Sequence, residues 1–190
     1  GEIIFKGKVR RWASPQDAMA AGLGMVHQHF MLADPLTALD NILIGLGSAF
    51  STIPRKAAKK RLEALAQKYG MPVPWDEKIE DLSVGISQRI EILKLLYRNC
   101  DVLILDEPTA VLTPQETLVF FDKLRALRDE GKTILLITHK LKEVMALTDH
   151  VSIFRKGRVV AERKTAETSA SELGELMVGR KIILPSLETS

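Results

Sequence analysis

Apolar and polar positions change period several times along this chain, and each change predicts an element. GEIIFKGKVRRW (1–12) alternates around Lys6-Gly7, the pattern of a β-hairpin closed by a glycine-containing turn. SPQDAMAAG follows, with Ser14 able to cap a short helix and Pro15 at its first position. GMVHQ (24–28) predicts a short strand that runs into an irregular segment, HFMLADPLTALDN, and then a brief apolar stretch to Gly47. Residues 55–69 predict a helix ending at Gly70, and MPVPWDEKIEDL is a proline-broken connector. From Ser83, SVGISQRIEILKLLYR puts Ile86, Ile90, Leu93 and Tyr97 on one helical face. The runs 102–106 and 133–138 are apolar at nearly every position, as parallel strands covered on both faces are. Between them TPQE (113–116) offers a capping Thr, a Pro at N1 and a capping-box Glu, starting a helix that turns Leu118, Phe121, Leu124 and Leu127 inward. A hairpin around Lys156-Gly157 and a capped helix over 169–177 close the series. Strand, helix and strand in this order predict an α/β fold with a mainly parallel sheet and a largely helical middle third.

Composition narrows the function classes. With 46% apolar and 27% charged residues, 190 residues suit one sizeable domain. The net charge of +3 is spread among nearly equal numbers of acids and bases. The densest basic run, RKAAKKR (55–61), sits on an amphipathic helix with few aromatics beside it, so it reads as a solvated face and no nucleic-acid partner is expected. Cys100 is the single cysteine, which excludes a disulfide framework within the chain and assigns it to core filling. No apolar run approaches the ~20 residues that span a bilayer, so a membrane role requires a partner.

The candidate chemistry lies where the strands end. Ligands of open parallel α/β sheets bind beyond the carboxyl ends of the strands, and three predicted strands deliver Gln28, the pair Asp106–Glu107 and His139 there. Adjacent acids suit magnesium-assisted phosphoryl transfer, one carboxylate helping to hold Mg²⁺ and its neighbour polarising an attacking water. On the residues alone each has a plainer reading: two acids marking a solvent-exposed strand end, Ser83 as a helix cap, His139 as a hydrogen-bonded strand-end histidine. His27 and His29 lack a Cys or acid at ligand spacing, and no metal site is expected of them.

LSVGISQRIEI (82–92), a helix, LILDEPTAVLT (103–113) and ILLITH (134–139), preceded by GMVHQHFML (24–32), together resemble the ATPase domain of ABC transporters: Q-loop, signature motif, Walker B, D-loop and switch histidine. VHQHFML, DNILIG, LSVGISQR and DEPTAVLTPQE further resemble the first ATPase half of tandem ATP-binding subunits of bacterial sugar and nucleoside importers, most closely the nucleoside branch. The resemblance implies an ABC-type ATPase core with a helical subdomain inserted at about 38–98. It implies ATP and Mg²⁺ as cofactors. Asp106 would hold Mg²⁺ through water, with Gln28 also at the metal and sensing the nucleotide; Glu107 would be the general base; His139 would contact the γ-phosphate; Ser83 and Gly85 would complete the site of an opposing ATPase half. The implied partners are transmembrane permease subunits, the second ATPase half, fused or separate, and a solute-binding lipoprotein. The implied place is peripheral, on the cytoplasmic face of the bacterial inner membrane.

Val84 and Ile86 replace the generic signature's Gly and Gln, and Thr113 replaces the usual D-loop Asp. The chain spells no G-x-x-x-x-G-K-[ST]; ALRDEGKT (126–133) imitates only its tail, and between a helix and a strand. These observations predict a chain cut before the P-loop, incomplete at its N-terminus and inactive alone although its parent is a transport ATPase. A degenerate ATPase half serving as a binding or regulatory module is the alternative.

Overall fold

The computed structural model describes residues 1–44 and 54–179, so the apolar stretch predicted up to Gly47 lies partly outside it. The chain forms two compact units, Gly1–Ile137 and Thr138–Ser190.

In the first unit β1 (Ile3–Phe5) and β2 (Lys8–Arg10) form the expected hairpin. Its turn residues Lys6 and Gly7 both have positive φ, 50° and 72°, the backbone hand that a two-residue turn needs to match the twist of the strands. Helix α1 (Pro15–Ala20) starts on a reciprocal box, Ser14 and Asp17 each accepting the other's amide. Strands β3 (Leu23–Val26), β4 (Val102–Asp106) and β5 (Thr133–Ile137) form a parallel sheet in the order β3-β4-β5.

Between β3 and β4 run α2 (Ala38–Leu43), α3 (Arg55–Lys68) and α4 (Val84–Tyr97). Helix α2 begins inside the segment expected to be irregular and runs two residues into the apolar stretch after it. Six residues are too few to hold a helix by propensity, and tertiary bonds hold this one: the amides of Ala38 and Leu39 donate to the carbonyls of Glu77 and Trp75. The sequence predicts one apolar stripe on α4. Ile90 and Leu93 are buried as expected, but so are Ser87, Gln88, Glu91, Ile92, Leu95 and Leu96, so α4 is a central helix with three of its polar residues inside.

Helix α5 (Pro114–Asp129) begins on the capping box read from TPQE, with Thr113 Oγ accepting the Glu116 amide and the Glu116 carboxylate accepting the Thr113 amide. Phe121, Leu124 and Leu127 face inward, whereas Leu118 is 66% exposed and Phe120 is the buried residue of that turn. The two-sided cover expected of both apolar strands fails for β5. Leu103 and Leu105 of β4 are fully buried, but Leu135 and Ile137 of β5 are about half exposed. Apolar residues record a preference for burial, and an edge strand meets it only where another element covers it.

In the second unit α6 (Leu141–Leu147) precedes the hairpin β6 (His150–Arg155) and β7 (Arg158–Lys164), turned at Lys156-Gly157, and α7 (Ala170–Val178) follows, capped by Ser169. Val144, Ile153 and Leu173 form its core. Among the described residues no helix is long and apolar enough to cross a membrane.

Candidate functional site

The register of the parallel sheet sets the geometry. Val26 pairs with Leu105 and Asp106 with Ile137, so Gln28, two residues past the last pair of β3, and Asp106–Glu107 leave neighbouring strands at one edge. Glu107 adopts a left-handed backbone, φ 45°, while its amide still donates to the Ile137 carbonyl at 2.9 Å. For a residue with a Cβ that conformation costs roughly 1–2 kcal/mol, and it turns the chain sharply just where the acids stand. The turn is braced from α4: Gln88, 3% exposed, donates its side-chain amide to the Pro108 carbonyl at 2.6 Å. Thr109 behind it is fully buried.

Ser83 occupies the N-cap position of α4, yet its side chain makes no capping bond, and the first turn of α4 contains no acid. Helix α3 likewise starts without either, whereas α1, α2, α5 and α7 each have a capping side chain and an acid in the first turn. The N–H groups and dipole at the start of α4 are thus left without a carboxylate of their own, the condition under which a helix N-terminus attracts an anion. Gly85 is the second residue of the helix. A Cβ there would lie 3.2 Å from Glu116 Oε1, so a side chain would press on the α5 capping box. The Glu116 carboxyl is held below its ordinary range by the bond from the Thr113 amide and then by the Thr113 hydroxyl.

A cleft of about 550 Å³ brings the segment after β3 against the start of α4. Gln28, Phe30 and Leu32 line one part of it, Val84 and Ser87 another, with Val111 from the loop after β4 and the acids Asp34 and Glu80 adding negative charge. The expected cluster is therefore assembled in two neighbouring places: Gln28 with the beginning of α4 in the cleft, and Asp106–Glu107 at the end of β4. His139 lies in the second unit, exposed, just before the Lys140 cap of α6, with the Thr138 hydroxyl accepting the Lys140 amide at 3.1 Å.

Sequence reasoning missed Gln88, Glu91 and Asn41, all buried polar residues. The signal was present in Gln88 and Glu91, polar side chains one turn apart beside the apolar positions Ile90, Ile92 and Leu95 of the same helix. Asn41 carries no such signal, because it ends a segment whose pattern predicts irregular structure.

A family model for ABC transporters matches residues 1–110, more than half of the chain. The nucleoside import ATP-binding protein NupA of Lactococcus lactis is 45% identical, the alignment covering 96% of this chain and 36% of that protein. The guanosine import ATP-binding protein NupO of Bacillus subtilis is equally similar, 45% over 96% of this chain and 36% of its own length. The glucose import ATP-binding protein TsgD13 of Haloferax volcanii is 42% identical over 96% of this chain and 38% of its length. The chain thus spans a little over a third of these relatives. Among solved structures, the ATP-binding cassette MJ1267 superposes with a TM-score of 0.78 at 23% identity, covering 94% of this chain and 75% of that one, which establishes the fold.

One expectation is overturned by these matches. The family's domain is matched from residue 1 onward, so the reading of the chain as cut before the P-loop, and of an inactive fragment or degenerate half built on that reading, does not stand. A motif not found in the sequence is no evidence of a boundary, because the first residue of a sequence carries no such information. The domain match, the sheet edge with its two acids and the uncapped start of α4 agree: the chain belongs to the ABC transporter family.

Proposed function

We propose that this chain is the nucleotide-handling part of an ATP-binding subunit that drives import of nucleosides or simple sugars, using ATP and Mg²⁺. The observation that carries the reading is the sheet edge, where parallel strands in register release Gln28 and Asp106–Glu107 side by side, the position at which open α/β sheets bind ligands. The import proteins for nucleosides and glucose among the relatives support the solute classes.

The donor set suits the ion. Mg²⁺ keeps several waters and takes one or two carboxylates together with substrate phosphates. The described residues contain no group of three or more His, Cys, Asp or Glu that could cage a metal, and one carboxylate, Asp106, with the Gln28 amide oxygen is a set such an ion accepts. When bound, the ion neutralises charge on the phosphates. Asp106 holds it through water. Glu107, leaving the strand with a different backbone heading, accepts the proton of the attacking water. His139 contacts the γ-phosphate. The Ser83 hydroxyl and the Gly85 N–H, at a helix start with no acid in its first turn, complete the phosphate shell of an opposing ATPase half. Val84, Ile86 and Thr113, which depart from the generic motifs, set how well this half supports hydrolysis in its partner.

Residues 38–98, which carry α2, α3 and α4, act as the helical subdomain. The cleft beside Gln28 receives a helix of the permease, apolar where it meets Phe30 and Leu32 and basic where it meets Asp34 and Glu80. The subunit works peripherally at the cytoplasmic face of the membrane with the permease, a second ATPase half and a solute-binding lipoprotein. Uptake tests the reading. The subunit containing this sequence is reconstituted with its permease in vesicles and given MgATP with labelled guanosine or labelled ribose. Uptake of one solute, with phosphate release that it stimulates, is expected; phosphate release that neither stimulates, with no uptake of either, overturns the importer assignment.

A further inference from the structure

Helix α4 carries a glutamate on its buried side. Glu91 is 3% exposed and Lys94, one turn on, has a side chain 14% exposed. A carboxylate is expensive to bury unless it is paired and its remaining acceptor capacity is used. Lys94 Nζ lies 2.9 Å from it, and its Oε1 also accepts the backbone amide of Met31 at 3.2 Å. That second bond reaches across 60 positions in sequence to the irregular segment after β3, the segment that supplies Gln28, Phe30 and Leu32 to the cleft.

Beyond Met31 the segment is fastened again and again to the helical part of the unit. Asn41 of α2, 6% exposed, accepts the Ala33 amide at 2.7 Å and donates to the Ala33 and Thr37 carbonyls. The amides of Glu80 and Ile79 donate to the carbonyls of Asp34 and Leu36. On the near side the sheet ladder ends at Val26. Glu91 therefore makes the first of these fastenings after the strand, and it sits on the helix whose start presents Ser83 and Gly85. Six helical positions, about 9 Å at 1.5 Å per residue, separate Gly85 from Glu91.

We propose that Glu91 is a positioning residue, a latch that ties the lip of the cleft to α4, so that a partner seated on Gln28–Leu32 and a phosphate at the start of α4 act on one rigid piece. A partly buried bond of this kind has two discrete states, made or broken, as coupling between sites requires. The consequence for transport rests on the importer reading of the previous section; the latch itself does not.

The test uses Glu91→Met combined with Lys94→Met, which removes both charges together and fills similar volume with apolar side chains, a replacement that buried ion pairs tolerate. Glu91→Gln, which keeps an acceptor for the Met31 amide, is its control. Residue-resolved hydrogen exchange on the chain is expected to show the Met31 amide exchanging ~10-fold or more faster in the double variant, with Leu93 in α4 and Leu103–Leu105 in β4 unchanged, and near-original protection in Glu91→Gln. Unchanged Met31 exchange in the double variant, or an equal rise throughout α4 and β4, overturns the latch. In the reconstituted subunit the double variant should keep MgATP hydrolysis within ~2-fold while solute moved per ATP falls ~10-fold, and Glu91→Gln should restore it. Equal loss of both activities overturns the positioning role. Exchange needs neither nucleotide nor solute, so failure there speaks against the latch alone, whereas absence of uptake by the unaltered subunit speaks against the importer reading alone.

Discussion

Gly24→Ala places one methyl group where β3 meets the end of α4, and its cost can be worked from the contacts. Gly24 pairs with Leu103 in the sheet and is buried. A Cβ at this position would lie 2.7 Å from Leu95 Cδ2 and 2.8 Å from Cys100 Sγ, closer than carbon and sulfur atoms tolerate. Leu95 and Cys100 are 3% and 1% exposed, so neither can swing into solvent. Forcing a methyl into a packed core costs about 1–3 kcal/mol. Against this, Ala restricts the unfolded chain more than Gly does, which returns about 0.4–1 kcal/mol where the backbone conformation is permitted. Overpacking wins, with a net loss of about 1–2 kcal/mol. At ~2–4 °C per kcal/mol for a chain of this size, the midpoint of thermal unfolding followed by circular dichroism should fall by about 2–8 °C. Leu95→Ala alone should cost about 2–5 kcal/mol by leaving a cavity. Because the new methyl and the missing isobutyl group share one space, the double variant should be more stable than the sum of the two losses by at least ~1 kcal/mol. Losses that add within ~0.3 kcal/mol would refute the steric account of Gly24.

Replacing Glu107 by Gln in the subunit should slow MgATP hydrolysis ~100-fold or more, with nucleotide binding retained, since the base is lost and its size is kept; phosphate release and equilibrium titration measure the two separately, and unchanged turnover assigns the base elsewhere. Asp101 is held below its ordinary value of 3.8 by the bond from Lys6, against desolvation, and further by Lys132. A carboxyl depressed in this way adds stability that is full above the unfolded value and is lost as pH falls through the lower folded one. Asp101→Asn should therefore flatten the acid limb of the stability–pH curve below about pH 4; an unaltered limb in unfolding titrations would assign it to other groups. Met31→Asp changes a residue 70% exposed and should leave stability within about 0.5 kcal/mol, while solute uptake per ATP hydrolysed falls; normal uptake by the folded variant would remove this segment from the permease surface.

What the sequence alone determined is whatever a few neighbouring residues decide. Lys6-Gly7 and Lys156-Gly157 fix their hairpins because the turn needs positive φ at adjacent positions, and Gly supplies one of them at no steric cost. Thr113, Pro114 and Glu116 fix the start of α5 because cap, ring and carboxylate act within one turn. The end of β4 at Asp106 was legible for the same reason, whereas β3 stops at Val26, two residues before the expected Gln28.

Only the tertiary structure decided the rest, because the partners lie far apart in the chain. Helix α2 exists through carbonyls of Trp75 and Glu77, more than thirty residues on. Leu118 is exposed and Phe120 buried because the neighbours on the Phe120 side, Met71, Gln88 and Ile92, come from distant parts of the chain. Ser83 has the residue type of a cap without the bond, and Glu91 has the residue type of a surface acid while it lies buried and accepts the Met31 amide. Residue type fixes what a group can bond to. Which partner it meets is a property of distances that exist only after the chain has folded.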